Sequence, residues 1–331
     1  MESNRHQVYD LKQMQMMPLD AKIRMSQQRI EQWYEHWDGQ VYVSFSGGKD
    51  STVLLHLVRS LYPDVEAVYV DTGLEFPELR NHVKTFENVT WLRPEMNFRQ
   101  VILTYGYPVI SKEVAQIIRE ARIGLERGDG SYAYRIAKLN GELINPHTGK
   151  PSPFNCQQWK FMLDAPFKIS EECCKVMKKK PCKKYEKMTG KKPYIGVMAT
   201  ESRLRKQRWI RYGCNSFEKG KQASQPLSFW TEQDIFEYIQ KYNLVIPSVY
   251  GDIVETGKQI ERIDGVHNEL KTTGCNRTGC MFCAFGSHCK GDTRFLDLKQ
   301  THPKVYEYCM KPVEKGGLGM DEVLDYIGVK H

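Results

Sequence analysis

The hexapeptide Ser46-Gly47-Gly48-Lys49-Asp50-Ser51 constrains this chain more than any other segment. Before it, residues 41–45 are a β-branched and aromatic run that predicts a strand. After it, residues 51–62 are apolar at helical spacing. Two glycines between a strand and a helix let backbone N–H groups approach a ligand, and the helix N-terminus adds positive potential. Ser46 and Ser51 supply hydroxyl groups, and Lys49 supplies a charge for direct contact with phosphate. The GxxxxGK[ST] spacing of the Walker loop is absent. A tight turn without a ligand is the plainer alternative.

The pattern around the hexapeptide repeats. Strands are expected at residues 66–72, 89–92 and 193–200, and helices at 77–86, 109–123 and 231–242, the last with a Thr231–Asp234 capping box. Alternation of strand and helix implies an α/β fold, a doubly wound parallel sheet with ligands at its C-terminal edge. Residues 1–40 read as helical, with Ile23, Ile30, Trp33 and Trp37 at helical spacings and Gly39 as a C-cap. Residues 124–153 are polar and rich in Gly and Pro, which reads as an insertion or mobile loop. Beyond residue 253 the chain reads as irregular up to a cysteine-rich segment, then a helix at 303–310 and a polar tail. Three segments are expected: a helical one at 1–40, a nucleotide-binding domain at 41–250 with an insertion at 124–155, and a cysteine-rich region at 251–331.

Hydrophobic residues make up 40% of the 331, enough for a core. No apolar run approaches the roughly 18 residues of a membrane span. The polar start, without a signal-peptide core, sets the expectation of a cytoplasmic protein without membrane contact. The formal charge of +8 has one address. From Lys175 to Lys192 the chain carries nine lysines and one acid, Glu186, so the rest sums to zero. Such a run suits a polyanion, a nucleic acid acceptor above all, or else a solvated helix face.

Ten cysteines in a reducing compartment point to metal rather than disulfides. Two features stand out, the tandem Cys173-Cys174 and the CxxC of Cys280 and Cys283. Cys275, Cys280, Cys283 and Cys289 could by themselves form a zinc knuckle holding Zn2+. Cys156, Cys182, Cys214 and Cys309 read as free thiols; Cys214, near a basic stretch, is also a candidate sulfur carrier.

The Ser46–Ser51 hexapeptide resembles the PP-loop of the adenine nucleotide α-hydrolase superfamily, whose members cleave ATP between the α and β phosphates. Asp71-Thr72-Gly73, followed by Phe76-Pro77, is similar to a segment of its PAPS reductase-like branch, and residues 196–209 are similar to that branch's basic loop. The matching segments span about residues 40–290. The resemblance implies that Ser46, Gly47, Gly48, Lys49, Asp50 and Ser51 bind phosphate and that Asp71 and Thr72 lie beside the nucleotide. It implies that Arg203, Arg205 and Arg208 face phosphate or sulfate, which suits their fork-shaped donors. Lys49, Asp50, Asp71 and Cys214 are the residues expected to carry the chemistry.

Cys173, Cys174, Cys280 and Cys283 match in order the cysteines that hold a [4Fe–4S] cluster in assimilatory adenylylsulfate reductases. Two departures from the reductases stand out. Their nucleophilic Cys in a Glu-Cys-Gly-Leu-His setting has no counterpart in the ending DEVLDYIGVKH, and their altered loop is here the intact form of enzymes that release pyrophosphate. ATP-using relatives with clusters include tRNA thiolases and the sulfurtransferase of DNA phosphorothioation. The resemblance therefore implies a sulfurtransferase that uses ATP and Mg2+ to adenylate an acceptor, forming AMP and pyrophosphate, with an Fe–S cluster and a sulfur donor protein. A sulfonucleotide reductase and a non-catalytic nucleic-acid-binding zinc protein are the alternatives.

Overall fold

The computed structural model describes residues 6–331; residues 1–5 of the expected helical segment lie outside the described residues. Among the described residues ten strands occur in chain order: β1 (Val41–Ser44), β2 (Ala67–Val70), β3 (Val89–Leu92), β4 (Val109–Ile110), β5 (Lys192–Ile195), β6 (Asn215–Ser216), β7 (Ala223–Ser224), β8 (Ile253–Arg262), β9 (Gly265–Thr272) and β10 (Ala284–Phe285). The chain divides into two compact units. One comprises the chain up to Asp71 with Glu75–Arg93 and Pro181–Thr278. The other comprises Thr72–Leu74, Pro94–Lys180 and Gly279–His331. The expected division at residue 250 is not followed, because 251–278 packs with the first unit and 279–331 with the second.

The first unit is built on a six-stranded sheet of order β3-β2-β1-β5-β7-β6. All its pairings are parallel except β6 with β7. Alternate side chains of one strand face opposite sides of a sheet. Val41 and Val43 of β1 join Ile30, Trp33, Leu54, Leu57 and Trp230 in the main core. Tyr42 points the other way, against Val68 and Tyr185. Both faces are therefore covered, as a parallel sheet requires, and the expected doubly wound α/β fold is present. The order runs outwards from β1 in both directions, so the loop after β1 lies at the switch point where such sheets bind ligands.

Several expectations need correction. The helix expected at 109–123 begins at Lys112, because Val109 and Ile110 pair with β10 as strand β4. That helix continues to Arg127, and a second follows at Ala133–Asn140, so part of the stretch 124–153 is helical. The region after Ile253 is a long hairpin, β8 with β9. Its Asp264-Gly265 turn is a recognisable hairpin signal, but its strands are mostly exposed and carry little apolar alternation. The polar tail contains a helix, Met320–Tyr326, whose Met320, Val323 and Leu324 are buried. The lysine run is helical: a π-helical turn at Lys175–Lys179 leads into Lys180–Thr189. Pro181 has no N–H and its ring crowds the carbonyl four residues back, which accounts for the widened turn.

Candidate functional site

The loop after β1 turns at Gly47, whose φ is +76°. A Cβ there would meet Val83 Cγ2 at 2.7 Å and the Leu79 carbonyl at 3.0 Å, so only glycine fits. Gly48 precedes the helix Lys49–Arg59 as its N-cap. The Ser51 hydroxyl accepts from the Ser46 N–H at 3.2 Å and lies 3.0 Å from the Ser46 hydroxyl, which ties the loop to the first helical turn. The structure thus brings the six expected phosphate-binding residues into one turn at a helix N-terminus, where backbone donors and the helix dipole favour an anion.

Lys49 is almost wholly buried. Its ammonium donates to the Asn276 carbonyl at 2.9 Å and pairs with Glu232 at 3.0 Å. It also lies over the Phe236 and Tyr250 rings. Asp50 is held in the opposite electrostatic condition. Burial raises its carboxyl above the ordinary range, Lys49 offsets part of that, and Glu232 adds to it. Its Oδ1 is buried and has no hydrogen-bond partner among the described residues.

The basic segment divides by role. It forms the helix Arg203–Tyr212, and Arg205 is the arginine whose charge interacts with Asp50. Arg205 pairs with Glu201, and burial followed by the nearby Arg277 lowers its pKa. Arg208 donates to the Lys221 carbonyl at 3.1 Å and stacks over Tyr212, and Arg203 is exposed. Asp71, just beyond β2, accepts from Arg80 Nη2 at 3.0 Å and Nε at 3.2 Å. The Thr72 hydroxyl accepts from the Leu74 N–H at 3.2 Å.

Sequence reasoning missed Tyr250, Asn276, Arg277 and Thr278. The Tyr250 hydroxyl accepts from the Lys49 N–H at 3.3 Å and lies 2.6 Å from the Thr278 hydroxyl. Arg277 acts electrostatically on both Asp50 and Arg205. The only available signal was the polar Asn-Arg-Thr-Gly string between Cys275 and Cys280, overshadowed by the cysteines. Cys214 lies in the main core, where burial raises its thiol pKa and the Ser228 hydroxyl donates to its sulfur at 3.4 Å. A sulfur carrier requires an accessible thiolate, which this site does not provide.

The second unit holds a cysteine cluster. Cys173 and Cys174 occupy the first turn of the helix that carries the lysine run, with sulfurs 4.0 Å apart. They line a small apolar cavity together with Cys280, Cys283, Leu74, Phe98, Pro108, Met177 and Lys178. The CxxC is a turn in which the Cys283 N–H donates to the Cys280 carbonyl at 3.1 Å, and Arg294 fixes it by donating to the Cys283 and Phe285 carbonyls at 2.9 and 3.0 Å. The tandem thiols share one proton unequally. The hydrogen bond from Cys173 pushes Cys174 down to about 5, with help from Lys112 and Lys178 against burial. The same bond and burial push Cys173 up. Burial also raises Cys283, which the Phe285 N–H partly offsets.

Among the described residues no three His, Cys, Asp or Glu side chains converge closely enough to hold a single metal ion. Thiolates on one zinc would lie within about 4 Å of each other, since each Zn–S bond is about 2.3 Å. A cluster binds each cysteine to a different iron and spreads the sulfurs around a larger space. Four cysteines lining one apolar cavity are a donor set of the kind that holds such a cluster. The alternative ligands do not line it: Cys275 belongs to the first unit, and Cys289 is exposed on the loop after the CxxC.

The phosphoadenosine phosphosulfate reductase domain matches residues 40–108 and 147–285. The chain belongs to the phosphoadenosine phosphosulfate reductase domain family. The family match takes in the loop, Asp71, Arg203–Arg208 and all four cavity cysteines, and omits 109–146, where the two additional helices lie. The chain is 23% identical over 290 residues to adenosine 5'-phosphosulfate reductase of Anoxybacillus flavithermus, covering 87% of this chain and 92% of that one. It is 41% identical over 85 residues to an uncharacterized protein of Methanocaldococcus jannaschii, of which it spans only 18%. Phosphoadenylyl-sulfate reductase from Candida auris aligns over 73% of this chain and 96% of that one, at 13% identity and a TM-score of 0.38. No described helix of this family member is long and apolar enough to cross a membrane.

Proposed function

We propose that this protein binds an adenine nucleotide at residues 46–51 and adenylates an acceptor with ATP, forming AMP and pyrophosphate, in a sulfur transfer that uses a [4Fe–4S] cluster. The intact loop carries this reading: backbone donors, two serine hydroxyls and Lys49 converge at a helix N-terminus. Such a site stabilises the negative charge of a departing pyrophosphate. Arg205 and Arg277 add cationic charge beside Asp50. Asp50, buried with an unpartnered oxygen, fits an Mg2+ ion, whose charge would favour ionisation of the carboxyl. Bound there, Mg2+ would screen the phosphate oxygens. Cys173, Cys174, Cys280 and Cys283 would hold the cluster, which would supply redox or sulfur-binding chemistry; the hydrogen bond from Cys173, with Lys112 and Lys178, favours the thiolate form of Cys174.

The acceptor is proposed to be a nucleic acid, on the evidence of the lysine run. Lys179, Lys183 and Lys187 are exposed and follow one another at helical four-residue spacing, with Lys180 and Lys184 beside them. A sulfur donor protein completes the reaction. Reduction of a sulfonucleotide is the second reading, favoured by the match to 92% of the length of an adenosine 5'-phosphosulfate reductase.

The test is an anaerobic incubation of the protein with Mg-ATP, sulfide and total cellular nucleic acid. AMP and pyrophosphate that depend on the nucleic acid are expected. ADP as the product would exclude the proposal. Sulfite release from adenosine 5'-phosphosulfate with a thiol reductant, without ATP turnover, would establish the second reading instead.

A further inference from the structure

Two of the donors of the 46–51 loop, both from Lys49, are already engaged within the same compact unit. The Lys49 N–H, the first of the helix, donates to the Tyr250 hydroxyl at 3.3 Å. The Lys49 ammonium donates to the Asn276 carbonyl at 2.9 Å. The Thr278 hydroxyl, 2.6 Å from the Tyr250 hydroxyl, fixes the phenol in place. A Cβ at Gly48 would stand 3.0 Å from that phenol oxygen and 3.3 Å from the Thr278 hydroxyl, so the two hydroxyls lie directly against the loop.

These residues come from the two ends of the β8–β9 hairpin. The Gly274 N–H donates to the Tyr250 carbonyl at 2.8 Å, and the Cys275 N–H to the Val249 carbonyl at 2.9 Å. The hairpin base therefore forms a strap joining Tyr250 to Asn276 and Thr278. Tyr250 is 2% exposed, so its hydroxyl is fixed there and is not a passing surface contact.

We propose that Tyr250 is a specificity-determining residue of the loop: its hydroxyl takes the place of a phosphate oxygen, and a ligand must displace the strap to reach the backbone donors. This rests on the nucleotide reading above and deepens it. An oxygen that accepts from the Lys49 N–H cannot share that position with a phosphate oxygen. A ligand with a pyrophosphate group, able to engage both the N–H and the ammonium, competes with both strap contacts. Ligands that offer one weak acceptor leave the strap in place, so the loop discriminates for condensed phosphates.

The test compares the full-length wild type with Tyr250→Phe and Thr278→Val, using inorganic pyrophosphate and AMP as probes in calorimetric titrations. Tyr250→Phe keeps the ring that packs on Lys49 and removes the competing oxygen. It should bind pyrophosphate roughly five-fold tighter, the net worth of one neutral hydrogen bond. Thr278→Val should shift affinity in the same direction by less. Damage to the fold would weaken binding, so tightening separates displacement from a structural role. In the wild type, pyrophosphate should also speed amide exchange in peptides covering Gly274–Thr278. Unchanged or weaker pyrophosphate binding by Tyr250→Phe, or slower exchange in those peptides, would overturn the proposal. If AMP binds but pyrophosphate does not bind even to Tyr250→Phe, the strap assignment fails and the nucleotide reading stands. If neither probe binds, both fail.

Discussion

Asp50 shows how single residues of the loop hold opposing demands. Its carboxyl is buried beside Lys49, has one oxygen without a partner, and has its pKa raised chiefly by burial. A carboxyl whose folded pKa exceeds its unfolded value, ordinarily near 3.8, favours folding below that value. The advantage is lost as pH rises through the folded pKa, so burial of this carboxyl costs stability on the alkaline side of its unfolded value. Asp50→Asn should therefore raise the melting temperature of the nucleotide-free protein at pH 7, with the gain shrinking as pH approaches 4. Thermal melts between pH 4 and 8 check this, and a variant less stable at pH 7 would contradict it. The sequence pointed to Asp50 by its place in the hexapeptide. Its raised pKa was not legible, because that depends on burial and on Glu232, Arg277 and Arg205, which come from distant segments. Cys214 shows the converse: its nearness in sequence to the basic helix suggested chemistry, yet the same chain path takes its side chain into the core.

At the scale of elements, strands β1 and β2 and the helices after them were legible because burial imposes apolar runs and clear periodicity on them. The β8–β9 hairpin was not legible, since its strands bury little and owe their place to ionic anchors. Arg262, at the end of β8, bonds to Glu237 at 2.7 Å and lies 3.2 Å from Asp234. Asp234 in turn receives Lys22 at 2.7 Å, both fully buried, and caps its own helix by accepting from the Thr231 N–H at 2.6 Å. Burial pushes the Lys22 pKa down and Asp234 holds it up, so removing the carboxylate leaves two cations buried without it. Asp234→Ala should cost about 3–5 kcal/mol, the range for breaking a buried ion pair. It should also increase proteolysis at the hairpin tip. Urea denaturation and limited proteolysis check both, and a loss under about 1 kcal/mol would show that the network adds little.

Over the whole molecule, the net charge of +8 and the cysteine chemistry meet on one helix. Cys173 and Cys174 occupy its first turn and the lysine run follows. The tandem cysteines, the CxxC and the lysines were each visible in the sequence. Their meeting was not, because Cys280 and Cys283 reach the cavity only through folding of a distant segment that arginine bonds and the short β4–β10 pairing hold in place. These four cysteines are proposed to hold an iron–sulfur cluster and not zinc. The most direct measurement is iron, acid-labile sulfide and zinc analysis of protein purified without oxygen, beside the Cys174→Ala and Cys283→Ala variants. About four irons and four sulfides per chain are expected in the wild type, with a brown colour, and loss of both in the variants. A colourless protein carrying one zinc, or iron content that persists in both variants, would overturn this assignment.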